Sequence, residues 1–125
     1  MFIIIPAYNE EKNIAGVISD LVARYPEAKI VAVDDGSKDN TAEMAQKAGA
    51  IVLRHLINRG QGAALATGTE YALSQGAEII VHFDADGQFE ARDVTALVES
   101  IKSGQVEVVL GSRFLSRSNH IPFSK

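Results

Sequence analysis

The sequence predicts an α/β domain with a mainly parallel sheet that is covered by helices on both faces. Strand-like and helix-like segments alternate along its 125 residues, and the strand-like segments are continuously apolar rather than alternately apolar and polar. Continuously apolar strands are typical of parallel sheets buried on both faces, and the alternation is typical of strand–helix–strand units. The length suits a single domain with one core.

The first predicted strand covers residues 2–5, a wholly apolar run that a proline ends. Asn9 can cap the following helix, and Glu10 and Glu11 would then lie in its first turn, where the helix dipole favours negative charge. Apolar residues recur at helical spacing until the Tyr–Pro pair at 25–26, which is expected to end the helix.

The second strand is predicted at residues 29–33 and the third at residues 51–53. Between them, Asn40 and Glu43 have the spacing of a capping box, with asparagine in place of the usual serine or threonine. Gly49 has the position of a C-terminal helix cap. These signals predict a short helix between two buried strands.

Glycines open and close the next predicted helix. Gly60 and Gly62 lie at its start, and Gly76 follows its last residue, Gln75, as a C-terminal cap. The alternation is then completed by a strand at residues 79–83, a helix at 94–101 and a strand at 106–110. Residues 116–125 show no strong periodicity, and we expect the chain to be the N-terminal part of a longer one.

The composition narrows the classes of function. The formal net charge of −4 gives no support for nucleic-acid binding, which usually needs a basic face. The chain has no cysteine, so disulfides and thiolate metal sites are excluded and a cytoplasmic location is expected. No run approaches the roughly 18 to 20 apolar residues that span a bilayer, so these residues are not expected to cross a membrane.

Polar and acidic side chains follow three of the predicted strands. The residues at the three strand ends are Tyr8, Asn9 and Glu10, then Asp34 and Asp35, then Asp84 and Asp86. In an open α/β sheet, ligands bind beyond the carboxyl ends of the strands, where these side chains would meet. Converging carboxylates repel one another unless a cation compensates their charge. Each acidic segment alone is equally well explained as a turn, but the three together indicate a ligand site.

The last of these segments has the pattern of a site for a hard metal ion. Asp84 and Asp86 are two residues apart, so their side chains point to the same side of an extended segment, and Gln88 adds a neutral oxygen. Oxygen ligands of this kind suit Mg²⁺ or Mn²⁺, which substrate phosphates usually complete. The three histidines have no spacing suited to zinc: His55, His82 and His120. The central one of the three, among apolar neighbours, is expected to be a buried structural histidine.

Three segments resemble successive motifs of the family 2 glycosyltransferases in order and spacing: residues 5–11 (IPAYNEE), 33–41 (VDDGSKDNT) and 84–88 (DADGQ). Residues 58–63 (NRGQGA) and 111–114 (GSRF) resemble the polyprenyl-phosphate branch of that family, which includes dolichyl-phosphate mannose synthase. The resemblance runs from residue 2 to residue 114. It implies the GT-A fold, a nucleotide-diphospho-sugar-binding variation on the doubly wound sheet. Residues 1–125 would form a single such domain, the N-terminal part of a longer catalytic domain.

The resemblance also implies a nucleotide site. It places four residues as the floor and walls around the nucleoside: Pro6, Ala7, Tyr8 and Glu10. Asp35 would bond the base or the ribose, with Asp34 supporting the turn. Arg59, in the segment 58–63, is expected to belong to the same site. The two glycines of that segment would let backbone N–H groups at the start of the following helix approach a phosphate. Close packing of that helix on the sheet explains the glycines equally well.

The catalytic candidates implied by the resemblance are Asp84, Asp86 and Arg113. The two acids would hold the sugar nucleotide through Mn²⁺ or Mg²⁺, with Gln88 as a further metal contact. Arg113 would contact a phosphate, which a guanidinium can bind in bidentate fashion. The alternative for Arg113 is a surface arginine after an edge strand.

The resemblance implies an inverting glycosyltransferase that transfers a sugar, mannose or glucose, from a GDP- or UDP-sugar to a polyprenyl-phosphate acceptor. Later family motifs would lie beyond Lys125, so we assign no catalytic base. Membrane association, at the cytoplasmic face, would depend on the acceptor or on a C-terminal part beyond this chain. The alternative is a phospho-receiver signalling domain that binds magnesium through an Asp pair. Receivers place that pair after their first strand, whereas here it follows the second.

Overall fold

The computed structural model describes residues 1–86, 90–99, 107–110 and 119–122. The described strands are β1 (Phe2–Ala7), β2 (Lys29–Asp34), β3 (Ile51–Arg54), β4 (Ile79–His82), β5 (Glu107–Leu110) and β6 (Asn119–Pro122). The described helices are α1 (Ile14–Arg24), α2 (Thr41–Lys47), α3 (Gln61–Ser74) and α4 (Asp93–Glu99). Strands and helices therefore alternate as the sequence predicts.

The described strands form one sheet in the order β3-β2-β1-β4-β5-β6. The pairs from β3 to β5 are parallel, and β6 is antiparallel to β5. After β3 the chain crosses to the other side of β1, so the connections diverge between β1 and β4. Such a topological switch point opens a crevice beyond the carboxyl ends of the two strands.

The core lies on both faces of the sheet, because β1 and β2 are buried on both sides. On one face, apolar residues of β1 such as Ile3 and Ile5 pack with residues of α1, α2 and α4. On the other face, Phe2 and Ile4 pack against α3. The prediction of a mainly parallel sheet with helices on both faces is confirmed.

Helix α3 lies directly on the sheet through a glycine. A Cβ atom added at Gly68 would collide with the side chain of Ile4 and come within 3.1 Å of Val33. Ala64 and Ala72, one turn on either side, are fully buried against the same strands. Small residues at these positions therefore set the short distance between the helix and the sheet.

Strand β1 continues through Pro6, where the sequence predicted that it would end. Ala7 accepts a hydrogen bond from Asp35 N–H, on the β2 side, and Ile4 accepts one from Phe83 N–H, on the β4 side. Because strand residues alternate in direction, Pro6 faces the β4 side, beyond the last described β1–β4 pair. The sheet therefore loses no hydrogen bond between strands because of the N–H group that proline lacks.

The predicted start of the first helix was wrong, since α1 begins at Ile14 rather than after Asn9. Asn9 has a positive φ of 54°, and Glu10 and Glu11 lie in the loop before the helix. The amides of Asn9 and Glu10 bond to hydroxyls of a neighbouring loop, and these tertiary bonds override the local helix signal.

Two further details differ from the prediction. Asn40 is the N-terminal cap of α2 by position, but its side chain makes no capping bond; instead Asp39 Oδ1 accepts the amide of Thr41 at 3.0 Å. The antiparallel strand β6 was not predicted.

Within the part of the chain that the structure describes, no helix combines the length and the apolar character needed to cross a membrane.

Candidate active site at the switch point

A cavity of about 410 Å³ opens beyond the carboxyl ends of β1 and β4. Its lining residues are Pro6, Ala7, Tyr8, Glu10, Asp35, Asn58, Gly60, Gln61, Ala64, Asp84, Ala85 and Asp86. Seven of the predicted site residues are among them, and the predicted Arg59 lies between two lining residues without lining the cavity itself. Gln88 and Arg113 lie outside the described residues.

A larger cavity, of about 720 Å³, lies beside α1 and the start of α4. None of the predicted site residues lines it. One of its lining residues, Glu90, directly follows residues 87–89, which are outside the described part of the chain. The smaller cavity is the better candidate site, since it lies at the switch point and polar groups from four loops converge on it.

The loop after β1 is hydrogen-bonded to the loop after β2. Asn9 N–H donates to Ser37 Oγ at 2.8 Å, and Lys38 N–H donates back to Asn9 Oδ1 at 3.0 Å. Glu10 N–H donates to Thr41 Oγ1 at 2.9 Å. These bonds hold the segment that carries Tyr8 and Glu10 beside the cavity, and Tyr8 is 44% exposed.

Asp34 does not line the cavity and is almost fully buried. Its Oδ1 accepts the Ser37 amide at 3.1 Å, which closes the turn after β2. Its Oδ2 lies 3.2 Å from Arg54 Nε in an ion pair, without hydrogen-bond geometry.

Asp35 is buried on the cavity wall, and both of its carboxylate oxygens accept hydrogen bonds from the protein. Oδ1 accepts from Arg59 N–H at 2.8 Å and contacts His55 Nδ1 at 2.7 Å, while Oδ2 accepts from Gly60 N–H at 2.8 Å. Burial acts to raise the pKa of Asp35, but the bonds from Arg59, His55 and Gly60 outweigh it and lower that pKa below its ordinary value. Asp35 is therefore a carboxylate at neutral pH.

His55 supports this site through Asp35, although no functional role was predicted for it from the sequence. It follows β3 directly and is buried, and its Nε2 lies 2.8 Å from Thr67 Oγ1 on α3. The one sequence signal was its place just beyond a strand at the same sheet edge as the acids. Its partners come from elements far apart in sequence, so only the fold reveals them.

Asp84 and Asp86 follow β4 on the other side of the switch point. Burial and the negative charge of Asp86 both raise the pKa of Asp84 above its ordinary value. Among the described residues, no group of three His, Asp or Glu side chains is arranged to hold a metal ion. The two acids alone still fit a Mg²⁺ or Mn²⁺ ion that a phosphate completes, because a cation would relieve their mutual repulsion.

His82 lies at the end of β4 beneath α3. Its Nε2 is 3.1 Å from Thr69 Oγ1, and burial lowers its pKa to about 4. The ring is therefore neutral at neutral pH, which fits the structural role expected from the sequence.

A doubly wound sheet with a polar cavity at its switch point defines an α/β domain of the nucleotide-binding type. The chain belongs to glycosyl transferase family 2, whose sequence profile matches residues 2–123. This assignment rules against the phospho-receiver alternative and confirms the resemblance from which the site residues were predicted.

Two relatives illustrate the branch of the family. The UDP-N-acetylglucosamine–dolichyl-phosphate N-acetylglucosaminyltransferase of Methanococcus voltae is 37% identical over 90% of this chain and 51% of its own length. The polyprenol monophosphomannose synthase of Mycolicibacterium smegmatis is 29% identical over 90% of this chain and 44% of its own length. The chain thus spans about half the length of these relatives.

Among solved structures, the chain is similar to glucosyl-3-phosphoglycerate synthase from Mycobacterium tuberculosis in complex with Mn²⁺, UDP-glucose and phosphoglyceric acid. The TM-score is 0.64 at 26% identity, over 78% of this chain and 37% of that one. This likeness confirms the predicted GT-A fold.

Proposed function

We propose that this domain binds the donor of an inverting glycosyltransferase that moves a sugar from a nucleotide-diphospho-sugar to a polyprenyl phosphate. The observation that carries the proposal is the convergence of three loops on one cavity: the Tyr8 loop, the buried Asp35 turn and the Asp84–Asp86 pair. The family, and relatives named for dolichyl-phosphate and polyprenol substrates, support the acceptor class.

In this proposal the nucleoside lies between the β1 loop and the loop before α3. Pro6, Ala7, Tyr8 and Glu10 form the floor and walls, and Asp35 lies on the side where a base or ribose would come. The cavity also includes Gly60 and Gln61, at the first turn of α3. Backbone N–H groups at such a helix start favour a phosphate, and the Arg59 side chain adds positive charge beside it.

Asp84 and Asp86 are proposed to hold Mn²⁺ or Mg²⁺, with Gln88 as a third oxygen. When bound, such an ion supplies positive charge that offsets the negative charge developing on the diphosphate leaving group. Arg113 is proposed to steady a phosphate of the donor or the acceptor.

The reaction is proposed as a single in-line displacement at the anomeric carbon. A bond forms from a phosphate oxygen of the acceptor to that carbon, and the bond from the carbon to the diphosphate oxygen breaks, with inversion. The acceptor oxygen is already anionic, so this domain needs no strong base to deprotonate it. The lipid acceptor would bring the site to the cytoplasmic face of a membrane.

The donor is proposed to be a UDP-sugar before a GDP-sugar, since one relative and one similar structure are named with UDP-sugars. Calorimetric titration of the protein with UDP and with GDP, each with and without Mn²⁺, tests this. We expect one nucleotide to bind and its binding to require the metal. Equal binding with and without Mn²⁺ would remove the metal assignment, and binding of neither by folded protein would overturn the donor site.

The metal assignment is tested separately with Asp86→Ala. The variant is expected to weaken Mn²⁺-dependent binding of the nucleotide by at least about tenfold, because one of two charged ligands is lost. Asp20→Ala, on the exposed side of α1, is the matched control and is expected to bind normally. Unchanged affinity of Asp86→Ala in the presence of Mn²⁺ would contradict the assignment.

A further inference from the structure

The loop that carries Asn58 and Gly60 into the cavity is held by one buried carboxylate. Asp35 accepts the amides of Arg59 and Gly60, one on each oxygen, at 2.8 Å. A Cβ atom at Gly36, the next residue, would lie 2.6 Å from the Asn58 amide nitrogen, so the two backbones are in direct contact. The position of this part of the cavity wall therefore depends on how the Asp35 carboxylate is oriented.

The His55 ring is also in contact with this carboxylate. Its backbone N–H donates to Asp34 O at 2.9 Å, which continues the β2–β3 pairing and places the ring next to Asp35. Nδ1 lies 2.7 Å from Asp35 Oδ1, and Nε2 lies 2.8 Å from the Thr67 hydroxyl. A carboxylate can only accept, so Nδ1 carries a proton and donates to Asp35 Oδ1, while Nε2 and the Thr67 hydroxyl share the second hydrogen bond. The ring links the end of β2 to α3 through two directed bonds.

We propose that His55 is a positioning residue for the nucleotide, and that it acts through Asp35 without touching the donor. This inference deepens the proposed function and rests on it. By donating to Oδ1, His55 turns the Asp35 carboxylate so that both oxygens meet the amides of the loop. The loop is then ordered before the nucleotide arrives, and binding does not have to supply the free energy of ordering it.

A second histidine, His82 at the end of β4, contacts the same helix and shows what distinguishes this network from simple core packing. His82 contacts Thr69, two residues after Thr67 on α3, at 3.1 Å. That pair has no described bond to a loop of the cavity, and His82 Nδ1 has no hydrogen-bond partner in the described part of the chain. The His55 pair, in contrast, leads through Asp35 to two backbone amides at the cavity wall. The two threonines therefore give a matched pair of substitutions.

The variants are His55→Leu, His55→Asn, Thr67→Val and, as a control, Thr69→Val. We measure the Kd for UDP and for GDP in the presence of Mn²⁺, the Tm, and the hydrogen exchange of the Arg59 and Gly60 amides. His55→Leu is expected to weaken nucleotide binding by about tenfold and to speed exchange of both amides by at least about tenfold. His55→Asn keeps a donor near Asp35 and is expected to recover most of the affinity. Thr67→Val should show a smaller loss of about threefold, and Thr69→Val none.

The three measurements separate the possible outcomes. If His55→Leu lowers only the Tm while the affinity and the protection of the two amides stay unchanged, His55 is a packing residue and the inference is wrong. Equal losses of affinity in Thr67→Val and Thr69→Val would contradict it too. If the unsubstituted protein binds neither UDP nor GDP, the proposed function fails and the nucleotide part of the inference fails with it. Amide exchange would then still decide whether His55 holds the loop.

Discussion

The two acidic turns that face each other across the switch point are built in opposite ways. In the turn after β2, Asp34 and Asp35 are buried, and the oxygens of Asp35 meet protein donors that lower its pKa. In the turn after β4, burial and a like charge raise the pKa of Asp84. In the turn after β2, donors of the protein itself therefore stabilise the charge of Asp35. In the turn after β4, the repulsion between Asp84 and Asp86 remains, and a bound cation would relieve it. Similar short acidic sequences therefore give a cavity wall in one place and, in the proposed function, a metal site in the other.

The largest effect on stability is expected from a substitution at Gly36, in the turn after β2. Gly36 has a φ of +77°, and a Cβ atom there would also meet the backbone at Ile57 and Asn58 at 2.6 Å. Gly36→Ala is therefore expected to lower the free energy of unfolding by about 3 kcal/mol, from backbone strain and overpacking combined. Urea denaturation measures this.

Gly16→Ala, in α1, is the matched control for Gly36→Ala. It has open space around the added atom and is expected to stabilise the protein by about 0.5 kcal/mol. A loss below 1 kcal/mol for Gly36→Ala would mean that the turn and the loop are not packed as described.

The next largest difference is expected between Asp35→Asn and Asp84→Asn. The first removes the charge from a carboxylate that accepts two amides and a histidine, and is expected to cost about 2 kcal/mol of unfolding free energy. The second relieves a repulsion and is expected to change stability by no more than about 0.5 kcal/mol, in the stabilising direction. Equal destabilisation by the two substitutions would remove the contrast between the turns.

The smallest expected effect is on how the unfolding free energy changes with pH in acid solution. The pKa of Asp35 is lower in the folded state than its ordinary value of 3.8. Its contribution to stability is therefore complete above the unfolded pKa and is lost as the pH falls through the folded pKa. The unfolding free energy of the wild type should fall more steeply below about pH 4 than that of Asp35→Asn. Parallel profiles for the two proteins would show that this carboxylate does not contribute in that range.

Much of the fold could be predicted from the sequence because its strands are uninterrupted apolar runs that end at turn-forming residues. The start of α1 could not, since the hydroxyls of Ser37 and Thr41 capture the amides of Asn9 and Glu10. Strand β6 could not either, because its pairing with β5 leaves no periodic pattern in residues 119–122.

The site was predictable where its residues lie directly beyond strands. Tyr8, Asp35, Asp84 and Asp86 were expected together, and they line one cavity. The sequence did not reveal the network that supports them, because His55 meets its partners only through the β2–β3 pairing and the packing of α3. For the same reason, the sequence did not reveal that both Asp35 oxygens bond to donors of the protein. The expected bond of Asp35 to a base or ribose stays a prediction.

The contact between Gly68 and Ile4 has a mechanical consequence. Because Gly68 has no side chain, the backbone of α3 lies directly on the Ile4 side chain, and the helix cannot move closer to β1 without collision. The first residue of this helix, Gln61, lines the cavity, as do Pro6 and Ala7 of β1. The packing at Gly68 therefore sets how closely these two walls of the cavity approach each other.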